Sequence, residues 1–235
     1  MVSFRPRLAE VNRRVPLISV LLFCVCCFSA SASDTNALLT AWLNAQTNIH
    51  TWSADLIQTR RLKALVQPLT ATGHVWFATP NRFRWELGHP PQTIAVKNAD
   101  EMLVIYPSLK RVERYPLTGR QPAEWRDMLS LLEAGFPRDR ADLDSHFKFL
   151  SQSVSHDVCE VVLAPNSASA RRMMPQMKIA FDTNDFALRT TELEFADGST
   201  MRNDFTNAEL NVKIEDSLFT PKLDPDFKIT EPFAQ

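Results

Sequence analysis

From Thr51 onward the chain alternates apolar and polar side chains. In "TWSADLIQTRRL", Trp52, Ala54 and Leu56 fall on one side and Ser53 and Asp55 on the other, the period of a half-buried strand. After Pro68, "TATGHVWFATP" leads into "RFRWEL", where Phe83, Trp85 and Leu87 face one way and Arg82, Arg84 and Glu86 the other. Pro80-Asn81 supplies the turn between those two runs. Short, turn-bounded runs follow: "QTIAVKN", "EMLVIY", "KRVERY", and later "HFKFLSQSV", "DVCEVVLAP", "QMKIAFD", "LRTTELEFA" and "MRNDFTNAEL". Asp182 to Asp185 and Asp197-Gly198 read as hairpin turns, and "NSASARRMM" (Asn166 to Met174) as a mobile loop.

Two segments carry helical spacing instead. Between Asp34 and Asn48, Leu38, Leu39, Trp42 and Leu43 form one stripe, with Asp34 or Thr35 placed to cap the start. "PAEWRDMLSLLEAGFP" opens with Pro122 and Glu124 and stops near Gly135 and Pro137, with Trp125, Met128, Leu129 and Leu132 on one stripe. The pattern predicts about ten strands in meander order, one helix before them and one among them. Consecutive antiparallel strands of this kind curl into a barrel or half-barrel. Two amphipathic helices cannot cover such a sheet on both faces, but they can cap its mouth or concave side. The expected class is mainly β with some helix (α+β).

The first thirty-odd residues follow another pattern. Arg5, Arg7, Arg13 and Arg14 precede the uncharged run "VPLISVLLFCVCCF", and "SASAS" follows. This is the layout of a secretory signal, with cleavage expected after Ala32, so that residues 1–32 are a signal peptide and 33–235 one domain. The apolar run is shorter than the ~20 residues that span a bilayer. Cys24, Cys26 and Cys27 lie in this leader without the small preceding residue that lipid attachment needs. The mature chain would keep only Cys159, hence no internal disulfide.

Composition narrows the chemistry. Net charge is −1 over the 235 residues and −4 without the leader (22 basic against 26 acidic residues), so no basic field invites nucleic acid. The 5 glycines form no phosphate-binding loop. The five histidines show no metal-ligand spacing, and neither a C-x-x-C nor a G-x-S-x-G motif occurs. Cys159 alternates with Val161 and Leu163, which suits a small core residue better than a nucleophile. Asp55 and Glu86 stand on the polar sides of their strands, where a solvated or salt-bridged carboxylate is the default. Arg171-Arg172 reads as a solvated loop pair rather than a phosphate site. No enzyme, metal or cofactor is expected.

What stands out is the concentration of rings at Trp52, Trp76, Phe77, Phe83 and Trp85. Such rings either fill a barrel core or line a cavity for an apolar ligand, and pattern alone leaves both open.

Here the residues reach a resemblance. The order "WSADLIQTR", "GHVWFATPNRFRWE", "IAVKNADEMLVIYP" and the closing "LFTP" (Leu218 to Pro221) resembles the LolA-type periplasmic carriers of outer-membrane lipoproteins across the whole mature chain. The run from Gly73 to Trp85 is its most specific part. The resemblance implies an incomplete antiparallel β-barrel of about eleven strands with a helical lid. It implies a periplasmic address, a monomer, and a cavity for lipoprotein acyl chains or another lipid. Cargo would arrive from an inner-membrane ABC release complex and leave to an outer-membrane acceptor. An exposed acyl chain costs about 0.8 kcal/mol per CH₂, so three chains of ~15 carbons carry on the order of 35 kcal/mol that a shuttle must offset. The expected cavity residues are Trp52, Leu56, Trp76, Phe83, Trp85 and Leu87. The expected lid residues are Leu39, Trp42 and Leu43 on the first helix and Trp125, Met128, Leu129 and Leu132 on the second. Where the family carries an arginine before the proline of the aromatic run, a latch between barrel and lid, this chain has Thr79. That departure keeps a second implication open, a LolA-like binder of another lipid or apolar precursor in a dedicated export pathway.

Overall fold

The computed structural model describes residues 32–118, 137 and 139–232. Period-2 patterning becomes strand wherever it was expected. β1 (Thr51–Arg61) buries Trp52, Ala54, Leu56 and Gln58 on one face and leaves Asp55 and Ile57 exposed on the other. β2 (Leu69–Ala78), β3 (Arg82–Leu87), β4 (Thr93–Lys97), β5 (Glu101–Tyr106) and β6 (Arg111–Pro116) continue as an antiparallel meander. A second meander holds β7 (Phe147–Ser155), β8 (Val158–Pro165), β9 (Gln176–Asp182), β10 (Leu188–Glu194) and β11 (Thr200–Leu210). β1 pairs antiparallel with β11, which makes the two meanders one sheet. The short β12 (Lys228–Thr230) adds parallel to β6. The result is a single open sheet of 12 strands in the order β12-β6-β5-β4-β3-β2-β1-β11-β10-β9-β8-β7. It is the incomplete barrel expected, with one more strand and one parallel pair.

The sheet must curl strongly. Met102 on β5 and Met177 on β9 are seven strand steps apart, ~34 Å across a flat sheet at ~4.8 Å per step. Yet both line one cavity. The concave face carries the main core, which includes Trp52, Leu56, Val75, Leu163, Ile179 and Phe181.

α1 (Ala32–Gln46) lays Leu39, Trp42 and Leu43 into that core, the i, i+3, i+4 stripe read from the sequence. Asp34 and Thr35, the expected cap positions, both fall inside the helix. Two short helices escape the sequence reading. α2 (Arg140–His146) starts at Asp139, whose side chain accepts from the Asp142 amide, and it buries Leu143. α3 (Ala168–Met173) occupies the segment expected to be a mobile loop. Ser167 caps it, Ala170 and Met174 are buried, and the Arg171 guanidinium donates to the Pro165 and Asn166 carbonyls. Residues 122–136 of the second expected helix, residues 1–31 of the expected signal segment and the last three residues lie outside the described residues.

The convex face has a cover of its own. The C-terminal segment brings Phe219 down beside Ala78 and Val96, with Trp76, Ile94, Ile214 and Leu218 around them. Arg82 stacks over the Phe219 ring at 4.9 Å, and Arg84 donates to the Leu218 carbonyl at 3.0 Å. Leu223 and Phe227 pack on Leu103, Ile105 and Val112 further along. The "LFTP" stretch is thus a staple across the back of β3 and β4.

Cys159 is fully buried on β8, and burial pushes its thiol up to about 11. At pH 8 only about one molecule in a thousand would carry the reactive thiolate, even with access. Cys159 is therefore expected to resist alkylation in the folded chain and to react once guanidinium unfolds it, as read by mass-spectrometric peptide mapping. Labelling of the native protein within minutes would contradict the burial.

Candidate apolar cavity

Curling brings the inward side chains of β3, β4 and β5 opposite those of β9, β10 and β11. Between them lies a cavity of about 190 Å³. One wall is Phe83, Trp85 and Leu87 of β3 with Ala95 and Met102 behind. These three β3 residues are the alternate positions of "RFRWEL". The opposite wall is Met177, Leu188 and Leu193 with Met201 and Phe205. Three of the lining residues are methionines, whose flexible thioethers accommodate irregular shapes.

The six residues expected at the cavity separate. Phe83, Trp85 and Leu87 line it. Trp52 and Leu56 stand in the closed core beside it: Trp52 meets Phe205 edge-on at 5.2 Å, and Leu56 is the cross-strand partner of Phe205. Trp85 also meets Phe205 edge-on at 6.1 Å. Trp76 goes to the convex face, against the Phe219 cluster and 4.2 Å from the His74 ring. Trp76 and Phe77 are adjacent, so a pleated strand sends them to opposite faces, and Phe77 takes the inner one.

The first-helix residues sit firmly. Leu39, Trp42 and Leu43 line no part of the cavity but are buried in the main core, where Trp42 stacks on Phe181 at 4.9 Å and 8°. The loop after α1 is tied to the chain just past β11 by Asn211, which donates to the Asn48 carbonyl and accepts from the His50 amide. Trp125, Met128, Leu129 and Leu132 fall outside the described residues. Thr79 is exposed at the end of β2. Its amide donates to the His50 carbonyl at 2.9 Å and its hydroxyl to the same oxygen at 3.3 Å. Both contacts join the barrel to the loop following α1.

The remaining candidates fit simple ion pairing. Asp55 accepts from Asn207 and from His74, both at 2.8 Å, and those bonds, Asn207 first, hold its carboxyl below the usual range. Glu86 accepts from Arg84 beside it. Among the described residues no three His, Cys, Asp or Glu side chains come together to hold a metal. No described helix is long and apolar enough to cross a membrane.

Sequence reasoning missed the four polar lining residues, Thr93 on β4 and three that meet across strands. Gln58, Thr191 and Asn203 occupy inward positions on β1, β10 and β11. In the sequence they look like breaks in the alternation, and only the strand register shows that they coincide.

The family model described as outer membrane lipoprotein carrier protein LolA matches residues 47–222. No curated protein matches the chain. Among solved structures, an uncharacterized conserved protein from Thermus thermophilus is similar with a TM-score of 0.49 at 9% identity, over 84% of this chain and 99% of that one. A domain described as an outer membrane lipoprotein-sorting protein from Vibrio parahaemolyticus gives 0.43 at 13% identity, over 79% and 97%. A LolA superfamily protein from Nitrosomonas europaea gives 0.40 at 11% identity, over 77% and 96%.

Proposed function

The chain belongs to the LolA family, and from that premise we propose that it is a periplasmic carrier that takes lipoprotein acyl chains into the cavity behind β3 and shuttles them from inner to outer membrane. It binds and releases; it does not catalyse. Residues 1–32 act as a cleaved signal peptide and 33–235 as the carrier domain. Loading comes from an inner-membrane ABC release complex and unloading goes to an outer-membrane acceptor. The observation that carries the reading is the apolar room lined by Phe83, Trp85 and Leu87.

At about 190 Å³ the room is smaller than the ~300–1,000 Å³ of ordinary ligand pockets. Taking up acyl chains therefore requires its walls to part. An open sheet and a methionine-rich wall suit that, because neither is locked by ring closure or rigid packing. On this reading the lid role is assigned, on sequence grounds alone, to Trp125, Met128, Leu129 and Leu132.

Phe83→Glu places a carboxylate against the apolar wall, where desolvation opposes both the charge and the ligand. Binding of a fluorescent fatty-acyl probe is expected to weaken at least tenfold, about 1.4 kcal/mol or more. Unchanged binding would overturn the cavity assignment. Thr79, standing where the family has its latch arginine, favours a second reading: a LolA-like binder of another lipid in a dedicated export pathway. Mass spectrometry of what co-purifies separates them, a diacylglyceryl peptide for the carrier and a free glycolipid or pigment for the alternative.

A further inference from the structure

Apart from Thr93 on β4, the polar residues of the cavity wall fall on one line. Gln58, Asn203 and Thr191 are cross-strand neighbours, in register from β1 through β11 to β10. All three are more than nine-tenths buried. Gln58 Nε2 donates to Asn203 Oδ1 at 3.0 Å, and Asn203 Nδ2 donates to Thr191 Oγ1 at 3.1 Å. They form a polar rung facing the open room.

The rung is not saturated. Glutamine and asparagine amides each carry two N–H donors and an acceptor oxygen, and a threonine hydroxyl both donates and accepts. The two internal bonds use one donor of each amide. Among the described residues Gln58 Oε1 receives no donor, and the Thr191 hydroxyl, which accepts from Asn203, keeps its own O–H to give. Buried polar groups in a ligand pocket that retain bonding capacity fix what the ligand must offer and where.

Position adds a direction. One row inward along the same face stand Leu56 and Phe205. One row outward are Arg60 and Met201. Arg60 is exposed, and among the described residues no carboxylate pairs with it. The face thus runs from aromatic rings, through the rung, to a free cation at the sheet end. An amphiphile seated there points its tail at Phe83 and Trp85 and its polar end toward Arg60.

Resting on the carrier reading, we infer that the Gln58–Asn203–Thr191 rung seats the carbonyl or hydroxyl at the root of the cargo's acyl chain. The ligand class is then an acyl ester or amide, whose carbonyl accepts a hydrogen bond from the rung and whose neighbouring hydroxyl or N–H donates one to Gln58 Oε1. A bare hydrocarbon or polyene leaves that capacity unused.

The test compares a pyrene-labelled monoacylglycerol with a pyrene-labelled n-alkane of equal chain length. The full chain is expected to bind the ester at least tenfold more tightly than the alkane. The triple variant Gln58→Leu, Asn203→Leu, Thr191→Val replaces the whole rung by apolar groups of similar size and is expected to shrink that ratio at least tenfold. An unchanged ratio in the variant, or no preference in the original chain, overturns the inference while leaving the carrier reading standing. Failure to bind either probe overturns the carrier reading, and the inference with it. If circular dichroism shows the triple variant unfolded, Thr191→Val alone is measured for the same ratio; a shift toward the alkane supports the seat, and an unmoved ratio refutes it.

Discussion

Trp42→Ala is expected to destabilise the protein by about 3–5 kcal/mol, the cost of removing a fully buried tryptophan from a closed core. For a domain of this size that corresponds to a midpoint lowered by roughly 6–20 °C in a thermal melt. The ring is 1% exposed and lies flat on Phe181 at 4.9 Å, so its loss leaves a void that neighbouring strands cannot fill without moving. Trp42→Phe is the control. Among the described residues the buried indole Nε1 has no hydrogen-bond partner, so phenylalanine removes an uncompensated donor along with some volume. Its cost should be the smaller of the two. The experiment also decides what α1 is. A cover that swings clear contributes little to the global melt, and truncating it would alter ligand uptake alone. A core element shifts the whole cooperative transition, and its packing together with the Asn211 tie favours that result. An unmoved midpoint would return α1 to the role of lid.

Gly73→Ala should be the next most damaging single change, at about 1–3 kcal/mol for an overpacked site. A Cβ at Gly73 would stand 1.9 Å from the Glu86 carbonyl oxygen, a backbone atom with no rotamer to yield. Glycine is used here for close approach, where β2 and β3 pair through Gly73 and Leu87. Because Leu87 lines the cavity, the strain falls on the wall itself. The measurement is a urea melt of Gly73→Ala beside the parent chain, with acyl-probe binding read on the same samples. Equal melting midpoints would mean that the two strands separate there at no cost.

How much of this was legible depended on whether one strand could answer the question alone. "RFRWEL" needs no neighbour: its alternation sends Phe83, Trp85 and Leu87 to one face, and they line the cavity together. "VWF" is harder, since adjacent rings must part and only the packing of Phe219 shows which goes outward. Trp52 and Leu56 have the right face but the wrong depth, because closeness to Phe205 is a property of register and not of spacing. The polar rung could not be read at all. Gln58, Thr191 and Asn203 are far apart in the chain, and each looks like a polar residue out of place until the strands are aligned. Short helices fail for another reason. Six or seven residues with small or charged side chains carry too few turns to show a period, so α3 reads as a loop although Ala170 and Met174 are buried.

The pairing of β1 with β11 sets a kinetic condition on the molecule. Each meander is made of sequence neighbours and can zip from its own hairpins, but residues 52–61 must find residues 200–210 across about 150 positions of intervening chain. Long-range closures of that sort slow folding, because the entropy of the loop is lost before the contacts form. During synthesis the first meander emerges with the edge of β1 bare, and it stays so until residues 200–210 are out. On the carrier reading, a chain destined for export thus has a built-in delay before its fold can lock.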